Sequence, residues 1–310
     1  MKHPILILFL CISASLLAQP KEIKVNKYIN GTYLEVNADQ DAALAILIQG
    51  SGPTDRYGNQ ANMKSDHSKM LYQALNEKGI NTFSYDKRSI KMMRNNQVSD
   101  KTLFDDFVND QIDVIHYFEE RGHQNIHLIG HSQGSLIAIL AAQKTDINSL
   151  ISIAGTSKPF HKIMIKQIAK QMPQLKDETE NNFEKLLKNE EIKVSDNQVI
   201  ASIFAKRNQK FLSNYMQYDP AEEIKKLEEL PILIINGDDD LQVPVSDAEA
   251  LDEAAKNSEL LVIENMNHVF KIINGDQQDN LTSYTDPSHP ISDKLINAIE
   301  KFIKHHTYSN

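Results

Sequence analysis

The chain has 310 residues, of which 41% are hydrophobic and 24% are charged, and this length suits one large globular domain or a domain with an insertion. Its formal net charge of -9 at pH 7, with no basic block to offset the carboxylates, argues against a nucleic-acid partner. This composition favours a small-molecule substrate.

The amino terminus has the pattern of a secretory signal peptide. Lys2 gives a positive start, residues 5–12 are apolar, and residues 13–20 form an exit rich in small side chains. The apolar run is too short to cross a bilayer comfortably, so a retained anchor is the less favoured alternative. We predict that residues 1–18 are removed and that the mature chain is secreted or periplasmic, without a stable membrane anchor. It would then lack Cys11, the only cysteine, and a cysteine nucleophile would be excluded.

The next segments predict the start of a sheet. Residues 22–36 alternate between apolar and polar side chains, and the break at Asn30 and Gly31 predicts an antiparallel hairpin that turns there. Residues 42–48 form a continuous apolar run, which predicts a buried strand. The loop after it, residues 49–56, contains two glycines and a proline. Its backbone amides could face a ligand, although a plain glycine turn is the alternative.

A helix over residues 66–78 and a strand over residues 81–85 follow. The strand ends in Asp86, Lys87 and Arg88, where we favour an Asp/Arg ion pair with a structural role over a place in a site. Residues 102–119 carry a wide apolar stripe at helical spacing, which predicts a helix that covers the sheet.

A serine flanked by glycines joins a short apolar run to a helix-forming run. Residues 126–129 predict a buried strand, and residues 136–143 predict a buried helix. A chain that reverses from strand to helix over so few residues forces its central residue, Ser132, to a positive φ angle. Gly130 and Gly134 would give the neighbouring chains room to approach. This arrangement predicts a nucleophile elbow, with an ordinary strand-to-helix turn as the alternative.

Two backbone amides are the candidate oxyanion hole. The amide of Gln133 opens the helix after the elbow, and a helix start directs its N–H groups toward negative charge. The second donor would come from the loop after the strand at residues 42–48, from Ser51 or Gly52, and we choose Ser51.

A long helical stretch separates two later strands. Residues 149–153 predict a buried strand, whereas residues 158–218 are charged and mostly helical, and Pro173 separates two of the helices. We predict that residues 158–218 are a lid inserted into a core formed by residues 19–157 and 219–310. Alternatively, the Met and aromatic residues of this stretch only hold its helices together.

The candidate acid follows the next strand. Residues 231–235 predict a buried strand that runs into an acidic loop, and we choose Asp240 as the acid, with Asp239 as the alternative. Residues 246–249 resemble a capping box that opens a helix through about residue 256.

The candidate base follows the last predicted strand, residues 259–264. His268 lies just past its carboxyl end, and His289, in a loop flanked by prolines, is the main competitor. Ser132, Asp240 and His268 occur in the order serine, acid, histidine, and all three follow strands. Histidines and carboxylates lack the short spacing of a metal-binding helix, so we expect no metal site. Hydrolysis by a serine, a histidine and an aspartate would also need no cofactor.

The chain resembles α/β-hydrolases of the bacterial secreted or periplasmic type, similar to serine aminopeptidase-like and dienelactone-hydrolase-like esterases. The matching segments are residues 50–55, 85–88, 130–134, 237–244 and 267–268. The resemblance implies a mostly parallel central sheet flanked by helices, and it places nucleophile, acid and base at Ser132, Asp240 and His268. Many relatives have a glycine-rich turn where this chain has residues 89–92, so the pocket wall is expected to differ there.

These observations predict a serine hydrolase that cleaves carboxylic esters through an acyl-enzyme. An aminopeptidase or amidase of the same fold is the first alternative, and it would need a charged anchor for the substrate's amino terminus. A binding protein on a degenerate hydrolase fold is disfavoured because all three catalytic residue types are present.

Overall fold

The structure is a computed structural model that describes residues 19–97, 99–193, 195–274 and 276–307. The predicted signal peptide, residues 1–18, lies outside the described residues. In the described part of the chain, no helix is long and apolar enough to cross a membrane.

Eight strands form one sheet in the order β1-β2-β4-β3-β5-β6-β7-β8. The strands are β1 Lys21–Lys24, β2 Asn30–Leu34, β3 Leu44–Ile48, β4 Asn81–Tyr85, β5 Ile126–His131, β6 Ser149–Ile153, β7 Ile232–Gly237 and β8 Ser258–Ile263. β1 pairs antiparallel with β2, and β2 pairs antiparallel with β4, whereas every other pairing is parallel. The parallel strands therefore all end at the same edge of the sheet.

Helices cover both faces of the sheet. They are α1 His67–Glu77, α2 Arg88–Arg94, α3 Asp105–Glu119, α4 Gln133–Ala142, α5 Phe160–Gln171, α6 Lys176–Leu187, α7 Gln198–Ile203, α8 Lys206–Tyr215, α9 Pro220–Ile224, α10 Val245–Ala254, α11 Gln277–Ser283 and α12 Asp293–His305, with a 3-10 turn at Pro173–Leu175. The predicted mostly parallel sheet flanked by helices is confirmed.

Strand β3 shows how the sheet divides the core. Leu44, Ile46 and Ile48 face one side and pack with α3, α4 and α10, while Ala45 and Leu47 face the other side and pack with α1 and α12. Successive side chains of a strand point to opposite faces, so a strand buried on both faces is apolar throughout. This explains why the continuous apolar runs at β3 and β7 correctly predicted buried parallel strands.

The first hairpin turns earlier than predicted. Asn30 and Gly31 belong to β2, and the chain turns before them, where the Asn26 side chain accepts hydrogen bonds from the amides of Tyr28 and Ile29. A β-carbon on Gly31 would lie 2.3 Å from the Phe83 ring. The glycine therefore makes room for a side chain on the neighbouring strand and does not form the turn.

The predicted capping box is also wrong. Helix α10 begins at Val245 after Pro244, and no side chain caps it. A proline fixes its own φ angle near the value that a helix start requires, which sets this boundary without a serine cap.

The strand end at residues 86–88 makes structural ion pairs, but with distant partners. Asp86 pairs with Arg56 at 2.9 Å, and Arg88 pairs with Asp110 at 2.6 Å. The residues between β6 and β7 form α5 to α8, which share an apolar cluster of their own, and α9, which packs on α4 and α10.

Candidate active site

Ser132 lies at a sharp turn between β5, which ends at His131, and α4, which begins at Gln133. Its φ of 53° and ψ of -119° are unfavourable for any residue with a side chain, so the surroundings must hold it there. One such contact is the hydrogen bond from the Ser132 amide to the carbonyl oxygen of Ile153 on the neighbouring strand, at 2.9 Å.

The two flanking glycines are required by close packing. A β-carbon on Gly130 would lie 2.4 Å from the carbonyl oxygen of Gly134, and one on Gly134 would lie 2.2 Å from the carbonyl oxygen of Ile48. Side chains at these positions would force the strand and the helix apart. The turn at Ser132 thus has the geometry of a nucleophile elbow.

Asp240 and His268 form a buried pair. His268 Nδ1 lies 2.7 Å from Asp240 Oδ2, and their side chains are 6% and 1% exposed. The other carboxylate oxygen, Oδ1, accepts hydrogen bonds from the amides of Gln242 and Val243 at 2.7 and 2.9 Å. These contacts fix the carboxylate and orient the imidazole, leaving its Nε2 for another partner.

The competing residues have other contacts. The Asp239 amide donates to the Met266 carbonyl oxygen, and the Asp239 carbonyl oxygen accepts from Asn280 at 2.8 Å. His289 Nε2 lies 2.9 Å from the carbonyl oxygen of Ile272. The structure therefore pairs His268 with Asp240, and places both alternatives in loop contacts.

Three loops meet at the carboxyl edge of the sheet. His131 Nε2 donates to the carbonyl oxygen of His268 at 2.9 Å, which ties the histidine loop to the residue before Ser132. On the other side, a β-carbon on Gly50 would lie 3.4 Å from Cβ of Ser132. Ser51, in the loop after β3, thus lies beside the elbow, as does Gln133.

Buried aromatic rings support the histidine loop. The His131 ring lies 5.0 Å from that of His67 and 4.8 Å from that of Phe270. Burial, aided by the positive charge that His268 can carry, lowers the pKa of His67 to about 3 and that of His131 well below its usual value. Both rings therefore stay neutral near pH 7. The sequence reasoning missed His67 and His131 as supporting residues.

A cavity of about 550 Å³ opens beside the elbow. Its wall combines the two candidate oxyanion residues with residues of α2, α3 and the 158–218 segment. Among the lining residues are Ser51, Gln133, Lys87, Ser89, Met92, Met93, Phe107, Phe160, Arg207, Phe211 and Tyr215. Helix α2, which covers the residues 89–92 where relatives were expected to have a glycine-rich turn, supplies Ser89, Met92 and Met93 to this wall.

Lys87 is the site residue that the sequence reasoning did not select. Its Nζ donates to the carbonyl oxygen of Gly50 at 2.6 Å and to Gln133 Oε1 at 2.8 Å. Burial lowers the pKa of its ammonium group to about 7. The turn after strand β4 therefore brings a buried amino group to the same edge as the serine, the acid and the histidine.

The described residues contain no group of three or more His, Cys, Asp and Glu side chains that could hold a metal ion. What the site assembles is a serine on a constrained turn, a histidine oriented by a carboxylate, and backbone amides beside the serine. Such an arrangement is suited to acyl transfer.

The chain is similar in sequence to a curated esterase. The esterase EstD of Thermotoga maritima is 25% identical over 267 residues, which is 83% of this chain and 61% of EstD. The chain therefore spans less than two thirds of that relative's length.

Solved structures share the fold. Est1E from Butyrivibrio proteoclasticus superimposes with a TM-score of 0.60 at 21% identity, covering 93% of this chain and 98% of that one. An esterase of Pyrococcus furiosus gives a TM-score of 0.58 at 15% identity, covering 94% and 92%.

The family described as "Serine aminopeptidase, S33" matches residues 61–272, which is more than half of the chain and includes Ser132, Asp240 and His268. The chain belongs to this serine aminopeptidase S33 family and has the α/β-hydrolase fold.

Proposed function

We propose that the chain is a serine esterase that uses Ser132, His268 and Asp240 as its catalytic triad. The observation that carries this proposal is the buried His268–Asp240 pair, joined at 2.7 Å and tied through His131 to the elbow that presents Ser132. The similarity to EstD, which is named an esterase, supports the same reaction.

The mechanism follows from these positions. Ser132 Oγ attacks the ester carbonyl carbon while His268 Nε2 accepts its proton, because an unassisted hydroxyl is a poor nucleophile near neutral pH. Asp240 stabilises the imidazolium through Nδ1–H, and the amides of Gln133 and Ser51 donate to the oxyanion. When the tetrahedral intermediate collapses, the C–O bond to the alcohol breaks and His268 returns the proton to it. Water, activated by His268, then hydrolyses the acyl-enzyme and restores Ser132.

The cavity favours esters over peptides with a free amino terminus. An aminopeptidase must hold the substrate's α-ammonium group, and a carboxylate is the usual partner for such a cation. The charged side chains among the described residues that line this cavity are Lys87 and Arg207, both cationic. A positively charged amino terminus would therefore be repelled.

The apolar lining indicates the kind of acyl or alcohol group that fits. Phe107, Phe160, Phe211 and Tyr215 surround the space with aromatic rings, and Met92 and Met93 add flexible apolar surface. Such walls bind an apolar or aromatic group of moderate size. Est1E, which shares the fold, has been solved with ferulic acid bound, and an aromatic acyl group suits this lining as well.

We also propose that residues 158–218 act as a lid over the cavity and that residues 1–18 direct export. Phe160, Arg207, Phe211 and Tyr215 of that segment line the cavity opposite Ser51 and Gln133, which supports the first proposal. The second rests on the sequence of residues 1–18. Cell fractionation of the full chain against a chain lacking these residues would test export.

The esterase proposal is tested with the purified chain lacking residues 1–18, on p-nitrophenyl esters of two to twelve carbons and on aminoacyl anilides. We expect ester hydrolysis, little anilide hydrolysis, and a loss of kcat of about 10⁴-fold or more in Ser132→Ala. Ser89→Ala, which changes another serine lining the cavity, is the matched control and should stay active. Preference for the anilides would support the aminopeptidase alternative, and full activity of a folded Ser132→Ala would exclude the triad.

A further inference from the structure

Lys87 is a buried lysine without a carboxylate partner among the described residues. Its side chain lies inside the protein at 4% exposure, and its Nζ is 5.0 Å from the centre of the Phe107 ring. The neighbouring acids are used elsewhere, since Asp86 pairs with Arg56 and Asp110 with Arg88. In the described ranges, no carboxylate oxygen lies within 4.0 Å of Lys87 Nζ.

Such a residue is costly to the folded state. Burying an ammonium group without a counterion opposes folding, and its lowered pKa reflects that cost. A neutral side chain could fill the same space against Phe107. The presence of a cation at the edge that carries Ser132 therefore points to a role in the chemistry.

The hydrogen bond from Lys87 to the Gly50 carbonyl oxygen fixes the Ser51 amide, one of the two proposed oxyanion donors. The carbonyl of Gly50 and the N–H of Ser51 belong to one peptide group, and this peptide is trans, so they point in opposite directions. The Ser51 carbonyl oxygen is held in turn by Thr54 Oγ1 at 2.8 Å and Gln60 Nε2 at 2.9 Å. Hydrogen bonds thus hold the peptide groups on both sides of Ser51, and the one that precedes Ser51 is held by Lys87.

The second acceptor belongs to the residue that carries the other proposed donor. Lys87 Nζ donates to Gln133 Oε1, and the Gln133 backbone amide is the first of helix α4. One ammonium group therefore bridges the loop after β3 and the start of α4, the two segments that carry the proposed oxyanion donors. A hydrogen bond to the Gly50 carbonyl also polarises its peptide group and strengthens the Ser51 N–H as a donor.

We propose that Lys87 is a positioning residue that holds the Ser51 and Gln133 amides in place to stabilise the oxyanion, an inference that rests on the proposed esterase function. Lys87 acts through these two amides, so it affects the transition state more than the bound substrate. Its loss should reduce kcat and leave KM nearly unchanged.

The test compares Lys87→Met with Lys91→Met, which makes the same change on a partly exposed lysine of helix α2. For Lys87→Met on p-nitrophenyl butyrate we expect kcat to fall about 100-fold, which is the size of the loss in kcat when one oxyanion donor is removed. We expect KM to change by less than about threefold. Affinity for a trifluoromethyl ketone, which forms a tetrahedral adduct with the serine, should fall in parallel. Lys91→Met should match the wild type in all three measurements.

Lys87→Gln provides a second variant, because its side-chain amide retains N–H donors without the charge, and it should recover part of the lost kcat. The proposal is overturned if a folded variant keeps kcat within about twofold of the wild type, or if only KM changes, which would make Lys87 a wall of the binding pocket. Thermal melting establishes which variants are folded. Failure of the esterase proposal itself would appear separately, as undiminished activity in Ser132→Ala.

Discussion

His268 is held from two directions. Its ring is fixed by Asp240, and its backbone carbonyl accepts a hydrogen bond from His131. The preceding residue, Asn267, accepts from the amides of Val269 and Lys271 and so shapes the loop. Under the proposed mechanism, a histidine positioned this firmly would exchange a proton with Ser132 without first reorganising its surroundings.

We predict that His268→Ala abolishes labelling of Ser132 by a fluorophosphonate probe, because the probe reacts with a serine whose proton is accepted by the base. His289→Ala is the matched control. It removes the hydrogen bond to Ile272 but no contact with Asp240, so labelling should persist. In-gel fluorescence after a fixed labelling time measures both, and the reverse pattern would transfer the role of base to His289.

The site residues differ in how far sequence alone could find them. Ser132, Asp240 and His268 each follow a predicted strand, so their approach to one edge follows from the rule that parallel strands end together. Lys87 also follows a strand, but it lies between Asp86 and Arg88. Asp86 and Arg88 form ion pairs with Arg56 and Asp110, whereas Lys87 has no oppositely charged partner in the described part of the chain. Arg56 and Asp110 are distant in the sequence, so no local pattern could predict which of the three residues would be left out of an ion pair.

At the level of elements, the 158–218 segment has two different surfaces. One is internal, where Met172 packs against the apolar cluster shared by α5 to α8. The other faces the cavity and includes Phe211 on α8, which also contacts the apolar cluster. The segment is also joined to α3, where Asp105 accepts hydrogen bonds from Asn214 at 3.0 Å and Tyr218 at 2.6 Å. A helical insertion can thus be a structural unit and a cavity wall at once.

These two surfaces predict different effects of truncation. Phe211→Ala should change kcat/KM by about 10-fold to 200-fold for esters that fill the cavity, and much less for p-nitrophenyl acetate. Met172→Ala should lower the melting temperature and change kcat/KM by the same factor for all esters, because Met172 packs against the segment's own apolar cluster. Chain-length profiles together with melting curves distinguish the two. If Phe211→Ala changed kcat/KM by the same factor for all esters, the segment would cover the site without selecting substrates.

Strands and helices can be predicted most reliably where consecutive residues are all buried. The run of residues 42–48 could hardly form anything but a buried strand, whereas helix α2 at Arg88–Arg94 carries no comparable apolar face. Helix α12 is not among the predicted elements, although its apolar residues Leu295, Ile299 and Phe302 recur at helical spacing. Exact boundaries failed where tertiary contacts decide them, as at Gly31 beneath Phe83.

At the scale of the whole molecule, stability depends on pH through three of the buried histidines in the described part of the chain, His67, His127 and His131. Burial lowers the pKa of His67 and His127 to about 3 and that of His131 well below its usual value. In the unfolded chain each would titrate near pH 6.5. As the pH falls below about 6.5, the unfolded chain binds protons that the folded chain cannot, so the free energy of unfolding decreases.

We predict that His127→Gln weakens this dependence. His127 lies away from the site, 2.8 Å from Ser149 Oγ and 3.2 Å from Thr307 Oγ1, so its removal leaves the catalytic edge intact. Between about pH 5.5 and 4, the slope of unfolding free energy against pH should fall by about 1.4 kcal/mol per pH unit. Urea unfolding at several pH values measures the slope. The control is His116→Gln on the exposed face of α3, and an unchanged slope in His127→Gln would contradict the prediction.

The 158–218 segment leaves the sheet after β6 and returns before β7, and these two strands are hydrogen-bonded neighbours. The amide of Ala154, just beyond β6, even donates to the carbonyl oxygen of Ile235 near the end of β7. The entropy of closing a loop between two fixed points rises only with the logarithm of its length. Residues can therefore be added to or removed from this connection at little entropic cost, and the segment that lines the cavity with Phe160 and Phe211 can change in size while the strands that lead to Ser132, Asp240 and His268 keep their register.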